Sequence, residues 1–356
     1  AGRRLSPRGP PPRGRGGPPP AAGWGGGGRP RGRPGLGGAD AGSGGRRGRA
    51  RAGGDSLWRD AWRRLLRNRL AVAGGCVVGL LLAMAALAPA IAPRHYADGD
   101  FEQTFAKPGG AYVLGADFLG RDLLSRLIYG ARISLVVGLL GALTAFLVGV
   151  AYGTVAGYAG GRADNAMMRV VDLLYAFPSL LFIILLLVVF KLGFGQREDP
   201  SALVRAVVSL DRAMGGMLFI LAGISLTSWV GLARLARGMA LSLRETEFVQ
   251  AARALGARPA RVVVRHLLPN LVGPGVVQVT LMIPGLIATE AFLSFIGLGV
   301  DPPTPSWGAM ISDGITSMRS HPHLAIFPGI ALALTMLCFN FLGDGLRDAL
   351  DPRMKQ

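Results

Sequence analysis

The stretch LAVAGGCVVGLLLAMAALAPAIAP, residues 70–93, contains no charged residue and no histidine. An α-helix rises about 1.5 Å per residue, so it needs about 20 apolar residues to cross the roughly 30 Å hydrocarbon core of a bilayer. This stretch is long enough to do so. It has no polar face of the kind that a surface helix of a soluble protein turns towards water. We therefore predict a transmembrane helix here.

Five further stretches of the same kind follow along the chain. A single one can be the buried helix of a soluble protein, but six in one chain predict six transmembrane helices. The composition agrees, because 50% of the residues are hydrophobic and 17% are charged, whereas soluble domains average about 25% charged residues. The five stretches are residues 133–161, 173–190, 213–233, 267–289 and 324–343.

The N-terminal region differs from the rest of the chain. Residues 1–54 hold 12 Arg, one acidic residue and 20 of the 54 Gly, and they carry eleven of the eighteen net positive charges. Such a composition cannot bury a core, so we predict a disordered basic tail over residues 1–56. Attraction to anionic lipid or nucleic acid is one alternative, but only Trp24 could stack on a base and no specific nucleic-acid partner is expected. A second alternative is that the start of the sequence is mis-assigned.

The distribution of basic residues predicts the orientation in the membrane. With the N-terminus in the cytoplasm, the inside segments after the tail hold 17 Lys and Arg, and the outside segments hold 10. The positive-inside rule therefore predicts that both termini lie in the cytoplasm. We expect a multi-pass protein of the cell (inner or plasma) membrane. Segment 57–69 is predicted to be an amphipathic interfacial helix. Its lipid-facing side chains are predicted to be Leu57, Trp58, Trp62, Leu65 and Leu66.

The most informative polar segment is ETEFVQAARALGARPARVVVRHLLPN, residues 245–270, between the fourth and fifth predicted spans. We predict a helix up to Leu255, a turn at Gly256 and a second helix that ends near Pro269. Glycine adopts positive φ without strain, and Pro259 suits the first turn of a helix. A helix–turn–helix below the membrane indicates a docking element for a cytoplasmic partner. An ordinary basic connecting loop is the alternative.

This segment resembles the coupling motif of permeases from ATP-binding cassette (ABC) importers. That motif reads Glu-Ala-Ala, three residues, Gly, nine residues, Ile-x-Leu-Pro. Here a glutamine replaces the Glu and a histidine replaces the Ile. The matching positions are Gln250, Ala251, Ala252, Gly256, His266, Leu268 and Pro269.

Four other stretches also resemble permeases of dipeptide, oligopeptide and nickel importers, most of all the second (C-type) permease subunit. They are LGADFLGRDLLSRLIYGARISLVVG (114–138), MRVVDLLYAFPSLL (168–181), EAFLSFIGLGVDPPTPSWGAM (290–310) and NFLGDGLRDALDPR (340–353). The resemblance begins near Leu57, so it does not include the basic tail.

The resemblance implies an all-α type I ABC importer permease fold with a defined division of the chain. The interfacial helix, the first transmembrane helix and an external segment would occupy residues 57–130. The permease core would occupy residues 131–350, with coupling loop 245–270 inside it, and residues 351–356 would form a C-terminal tail.

The implied partners are a sister permease that forms a heterodimer with this chain, two cytoplasmic ATPase subunits, an extracytoplasmic substrate-binding protein and membrane lipid. ATP hydrolysis is expected on the ATPase subunits, so this chain is not expected to be an enzyme or to hold a cofactor or metal. The sequence agrees, since it has no GxxxxGK[ST] phosphate-binding loop.

The function implied by the resemblance is import of dipeptides or oligopeptides, with nickel or another small solute as the alternative. A secondary transporter driven by an ion gradient is a rival from another class, but it would need ionisable residues deep in its spans. Glu290 is the sole carboxylate of the apolar region 267–300. We consider two roles for Glu290, as a structural partner of an arginine or as a gate or vestibule residue. A third rival, a nucleic-acid-binding membrane protein, is supported by the basic tail alone.

Two smaller clusters of polar residues are interpreted as structural. Arg121, Asp122 and Arg126, just outside the second span, are predicted to anchor the external segment rather than to bind substrate. His321 and His323 flank a proline, and without a third ligand nearby in sequence they are predicted to belong to an ordinary loop rather than to a metal site.

Overall fold

A computed structural model of the chain describes residues 57–193 and 201–350. The regular structure in these ranges is helical, with isolated bridges but no β-strand. This confirms the prediction of an all-α fold. The predicted tails, residues 1–56 and 351–356, lie outside the described residues, as does the short stretch 194–200.

The helices of the described ranges are α1 (Leu57–Leu65), α2 (Arg69–Ala86), α3 (Ala88–Ile91), α4 (Leu123–Ala159), α5 (Gly161–Ala176), α6 (Ser179–Leu187), α7 (Ala202–Ala213), α8 (Met217–Leu243), α9 (Glu247–Ala254), α10 (Pro259–Val262), α11 (Leu268–Phe295), α12 (Trp307–Thr316) and α13 (His323–Leu350). A π-helical turn at Val188–Leu192 follows α6, and another at Val263–Leu267 joins α10 to α11.

Within the described residues, five helical stretches are long and apolar enough to cross a membrane, and a bent pair, α5 with α6, is a sixth candidate. The five are α2, α4, α8, the run that ends in α11, and α13.

The third predicted span, residues 173–190, is not one straight helix. The axes of α5 and α6 meet at 78°. The break falls at Phe177, whose backbone is extended with φ −89° and ψ 131°, directly before Pro178. A proline ring clashes with a helical conformation in the residue before it, which favours the extended conformation there. The predicted run therefore combines the last turn of α5 with α6.

The helices α4 and α8 pack backbone against backbone. Gly149, Gly153 and Gly157 lie four residues apart, on the face of α4 that meets α8. A Cβ atom on Gly149 would lie 2.8 Å from the carbonyl oxygen of Trp229, and one on Gly157 would lie 2.6 Å from that of Arg237. In lipid, helices associate through van der Waals packing, and small residues at this spacing permit the close approach.

A buried ionic network fixes the segment before α4, residues 94–122. The Nε of Arg121 lies 2.7 Å from Oδ2 of Asp117, and the Nε of Arg126 lies 3.5 Å from the same oxygen. Arg126 also reaches Asp313 of α12, with 3.6 Å from Nη2 to Oδ2. Burial raises the pKa of the Asp313 carboxyl, and the Arg126 charge opposes that rise. The segment is therefore joined to both α4 and α12.

Asp122 contributes to this anchoring as a helix cap. Its carboxylate caps the start of α4, where Oδ2 accepts hydrogen bonds from the backbone amide of Ser125 (2.8 Å) and from the Ser125 hydroxyl (2.6 Å). The hydroxyl oxygen of Ser125 in turn accepts a bond from the amide of Arg94 (3.0 Å). Asp122 therefore stabilises the helix N-terminus, while Arg121 and Arg126 form the ionic network.

The amphipathic helix α1 packs one face against α13. Ala61 is buried, and Leu65 lies against Gly345 of α13. Trp62 and Leu66 are exposed, by 61% and 55%. Leu65, which is predicted to face lipid, is half-buried because part of its side chain packs against α13. The side chains of the other two predicted lipid-facing residues, at positions 57 and 58, are outside the described part of the chain.

The first testable prediction concerns the contact between α4 and α8. Gly153→Ala should lower the free energy of unfolding by about 1–3 kcal/mol, as overpacking typically does. The reason is that the new Cβ would lie 2.8 Å from the Cβ of Ala236 and would also press on the carbonyl group of Ala233. Gly231→Ala on α8 is the matched control, because its Cβ meets open space. Thermal unfolding in detergent should separate the two variants, and equal melting temperatures would contradict the packing argument.

The second prediction concerns the buried ionic network. Asp117→Asn removes the carboxylate shared by Arg121 and Arg126 and leaves buried positive charge uncompensated, which typically costs about 3–5 kcal/mol. The variant should therefore be depleted from membranes and should unfold at a lower temperature. Asp98→Asn, in the same segment but exposed, should behave like the wild type. If both variants are equally abundant and equally stable, the network does not hold this segment.

Candidate functional site

Loop 245–270 folds as two helical arms joined by a tight turn. Gly256 has a φ of +80°, a conformation in which an L side chain is strained. The amide of Gly256 donates to the carbonyl oxygen of Arg253 (2.9 Å), and the amide of Ala257 donates to that of Ala252 (3.0 Å). This pair of bonds is a Schellman motif, which satisfies the last carbonyl groups of α9. The turn lies where the sequence predicts it.

One face of this loop is fixed to the end of the helix bundle by apolar side chains. Val249, Val262 and Leu267 are fully buried. They belong to one apolar cluster with Leu232 of α8 and Val150 of α4. Full burial of a valine or leucine side chain contributes about 1.5–3 kcal/mol. The loop is therefore a fixed part of the bundle rather than a loose connection.

The opposite face of the loop forms an exposed tip. Leu255, next to the turn, is 88% exposed, and Ala251 and Gly256 beside it are also exposed. Residues 250–265 contain four arginines and no acidic residue. The tip therefore presents a small apolar centre with a basic rim, which suits a complementary cleft lined by acidic side chains at its edge.

Polar contacts join the loop to two long helices. The guanidinium carbon of Arg253 lies 4.8 Å from the ring centroid of Tyr158, near the end of α4, which is a cation–π distance. Arg244, at the end of α8, donates from Nη1 to the carbonyl oxygen of Gly157 on α4 (3.2 Å). Arg253 therefore joins α9 to α4, and Arg244 joins the end of α8 to α4.

The seven predicted coupling residues divide between the two arms of the loop. Gln250 donates from Nε2 to the carbonyl oxygen of Glu245 (3.0 Å), so the residue that replaces the family's glutamate closes the start of α9. The ring centroids of His266 and Phe248 lie 6.3 Å apart, so the second arm lies against the first here. The first arm carries Gln250, Ala251, Ala252 and Gly256, and the second carries His266, Leu268 and Pro269.

Glu290 lies far from this loop along α11 and is fully buried. Ser134 of α4 donates to Oε2 (2.8 Å), and Ser294 of α11 donates to Oε1 (2.7 Å). Ser306, which precedes α12, also forms a hydrogen bond with the carboxyl group. Among the residues that the structure describes, its partners are thus serine hydroxyls from three segments and not an arginine. A gating role for Glu290 stays a prediction.

The residues that surround these two sites are not among those predicted from the sequence. Ser294 could have been predicted, since it follows Glu290 by four residues and so lies on the same helix face. Ser134 is separated from Glu290 by 156 positions, and Tyr158 meets the loop from another helix. Such contacts leave no local trace in the sequence.

The two paired histidines take part in ring packing. The ring of His321 stacks on Phe105, with 4.6 Å between the centroids, and lies 6.0 Å from the ring of His323. Over residues 57–193 and 201–350, no group of three His, Cys, Asp or Glu side chains is arranged to hold a metal ion.

Two protein families match the chain. Residues 149–356 match the family described as binding-protein-dependent transport system inner membrane component. Residues 56–108 match the N-terminal TM domain of oligopeptide transport permease C. The first match includes the whole of loop 245–270, and the second includes α1 and α2.

Individual relatives agree with the family matches. The chain is 41% identical over 302 residues to the dipeptide transport system permease protein DppC of Bacillus subtilis, which covers 85% of this chain and 87% of the relative. It is 42% identical over 302 residues to the oligopeptide transport system permease protein OppC of Escherichia coli, and the match covers 84% of this chain and 92% of the relative. It is 41% identical over 300 residues to the glutathione transport system permease protein GsiD of Pectobacterium atrosepticum, again over 84% of this chain and 92% of the relative. This chain is therefore a multi-pass membrane protein that belongs to the family of inner-membrane components of binding-protein-dependent transport systems.

Proposed function

We propose that this chain is the permease subunit of an ATP-driven importer of dipeptides or oligopeptides and forms half of the translocation path. The relatives described above are named for dipeptides, oligopeptides and glutathione, which is itself a modified tripeptide. None of these three is named for nickel, and this favours peptides over the nickel alternative. The proposed partners are a sister permease, two cytoplasmic ATPase subunits and an extracytoplasmic binding protein.

The observation that carries the proposal is the exposed tip around Gly256 on a loop that is itself fixed to the bundle. In the proposed mechanism, this tip docks in a cleft of one ATPase subunit. The sequence holds no phosphate-binding loop of its own, so ATP is hydrolysed on the partner. A rigid tip is required, because a flexible one would absorb the movement of the ATPase instead of passing it on.

In this mechanism, the contacts of the loop transmit its movement to the membrane-spanning helices. Closure of the ATPase subunits displaces α9, and the displacement reaches α4 and α8 through Tyr158 and Gly157. Since α4 and α8 are packed backbone against backbone, they move as one body. The path then opens alternately to the two sides of the membrane through rigid-body movement.

The proposed orientation follows from the same site. Docking of an ATPase puts loop 245–270 in the cytoplasm, as the distribution of basic residues does. Three membrane crossings, α4, the bent pair α5 with α6, and α8, separate this loop from segment 94–122. That segment therefore lies outside, and both termini lie in the cytoplasm.

Proteoliposomes that hold the whole importer test the function and the role of Gly256 together. The wild type should take up labelled peptide in an ATP-dependent manner and should not take up Ni²⁺. Gly256→Val should reach the membrane normally, since its Cβ meets open space, but should lose at least about tenfold in uptake because a β-branched residue is strained at positive φ. Gly256→Asn should retain more activity, because asparagine tolerates this conformation.

Two outcomes would contradict this proposal. Uptake of Ni²⁺ without uptake of peptide would favour the nickel alternative. Wild-type uptake and ATPase stimulation in Gly256→Val would remove the turn from the coupling mechanism.

The orientation can be tested by labelling single cysteines on intact cells. In a background without Cys76 and Cys338, an impermeant maleimide should modify Gln103→Cys in segment 94–122 and should spare Arg258→Cys at the tip. Both native side chains are exposed, so access depends only on the side of the membrane. The reverse labelling pattern would invert the topology and separate the loop from the ATPases.

A further inference from the structure

A cavity of about 450 Å³ lies at the end of the bundle opposite loop 245–270. Arg132 in its wall and Tyr158 at the loop belong to the same helix, α4, and 26 residues at about 1.5 Å each separate them by roughly 39 Å. In the proposed orientation, the cavity therefore faces the outside. Its walls come from segment 94–122, from the start of α4, from the end of α7 and start of α8, and from the turn before α12.

The lining of the cavity combines positive charge with aromatic rings. Arg132 and Arg212 line it, and both are exposed. The rings of Tyr96 and Tyr129 pack beside them, with 4.8 Å between the centroids. None of the described lining residues is acidic. Apolar side chains, among them Met217, complete the wall.

The two arginines of the cavity differ from those of the buried ionic network. Arg121 and Arg126 are buried against carboxylates. Within the described ranges, neither Arg132 nor Arg212 forms an ion pair, so their guanidinium groups are available to a ligand. A guanidinium group presents a planar fork of N–H donors that matches a carboxylate. The volume is also within the range of about 300–1,000 Å³ that is typical of small-molecule sites.

We propose that this cavity is a subsite for the C-terminal carboxylate of the incoming peptide. The inference rests on the proposed function and deepens it. A terminal carboxylate is common to all unmodified peptides, so Arg132 and Arg212 can hold peptides of different sequence. The tyrosine rings and Met217 contact the last side chain. Because the lining has positive charge and no acid, the site disfavours the N-terminal ammonium group, and the peptide enters the permease with its carboxyl end first.

Photolabelling of the whole importer tests this subsite directly. The probe is the tripeptide Ala-Ala-(p-benzoylphenylalanine) with a free carboxylate, compared with the same tripeptide as its C-terminal amide. The free acid should label the cavity wall near Tyr129 and Met217. Labelling by the amide should be about tenfold weaker, as expected for the loss of a charge-assisted hydrogen bond.

Variants of the two arginines complete the experiment. Arg132→Gln and Arg212→Gln should each reduce labelling by the free acid about tenfold and leave labelling by the amide unchanged. Arg212→Lys keeps the charge and should retain part of the difference between acid and amide. Arg205→Gln, which removes an exposed charge from α7 outside the cavity, should label like the wild type.

Three results would overturn the subsite. Equal labelling by the acid and the amide would exclude carboxylate recognition. Weaker binding of the external binding protein to the Gln variants, with an unchanged acid-to-amide ratio, would assign the cavity to an acidic side chain of that protein. Labelling that responds to replacement of anionic by neutral lipid, and not to the arginine variants, would assign it to a lipid phosphate.

Failure of the subsite is distinguishable from failure of the proposed function. If the wild-type importer takes up no peptide at all, the proposed function is wrong. If it takes up peptide while Arg132→Gln and Arg212→Gln transport and label like the wild type, only the subsite is wrong.

Discussion

Inside the hydrocarbon core no water is available to the backbone, so every peptide group has to find its hydrogen-bond partner within the protein. Helices meet this requirement locally, and their association then depends on how closely they can approach. In this chain α4 and α8 approach each other closely because Gly149, Gly153 and Gly157 have no side chains. The helix α4 also packs against α2, α5 and α11, so the position of much of the bundle depends on this contact.

Polar groups inside such a bundle are stable only where partners surround them. The carboxyl group of Glu290 is held by hydroxyls from α4, from α11 and from the residue before α12. Asp117 in the same way pairs with two arginines and connects segment 94–122 to α4. Separation of these elements would leave buried polar groups without partners, at a cost of several kcal/mol. If the chain moves in a transport cycle as proposed, the movement is therefore expected elsewhere, at the bend between α5 and α6.

The sequence predicts most of the fold because the responsible signals are local. Charge-free runs mark the membrane-spanning helices, and Gly256 marks the turn of the loop. The bend at Phe177 can also be predicted from the sequence, since Pro178 follows it directly. Contacts between distant segments cannot be predicted in this way. Nothing in the sequence shows that Leu65 is half-buried against α13. The serines around Glu290 meet only once α4, α11 and α12 have packed.

The length of α4 has a consequence of its own. At 37 residues and about 1.5 Å per residue, it is a rod of roughly 55 Å, with the cavity of Arg132 near one end and Tyr158 at the other. A tilt of about 5° around either end swings the opposite end through about 5 Å, which is close to one helical turn. The helix is in effect a lever arm, and because α8 is packed along it, a small tilt of the two helices together is enough to displace the far end.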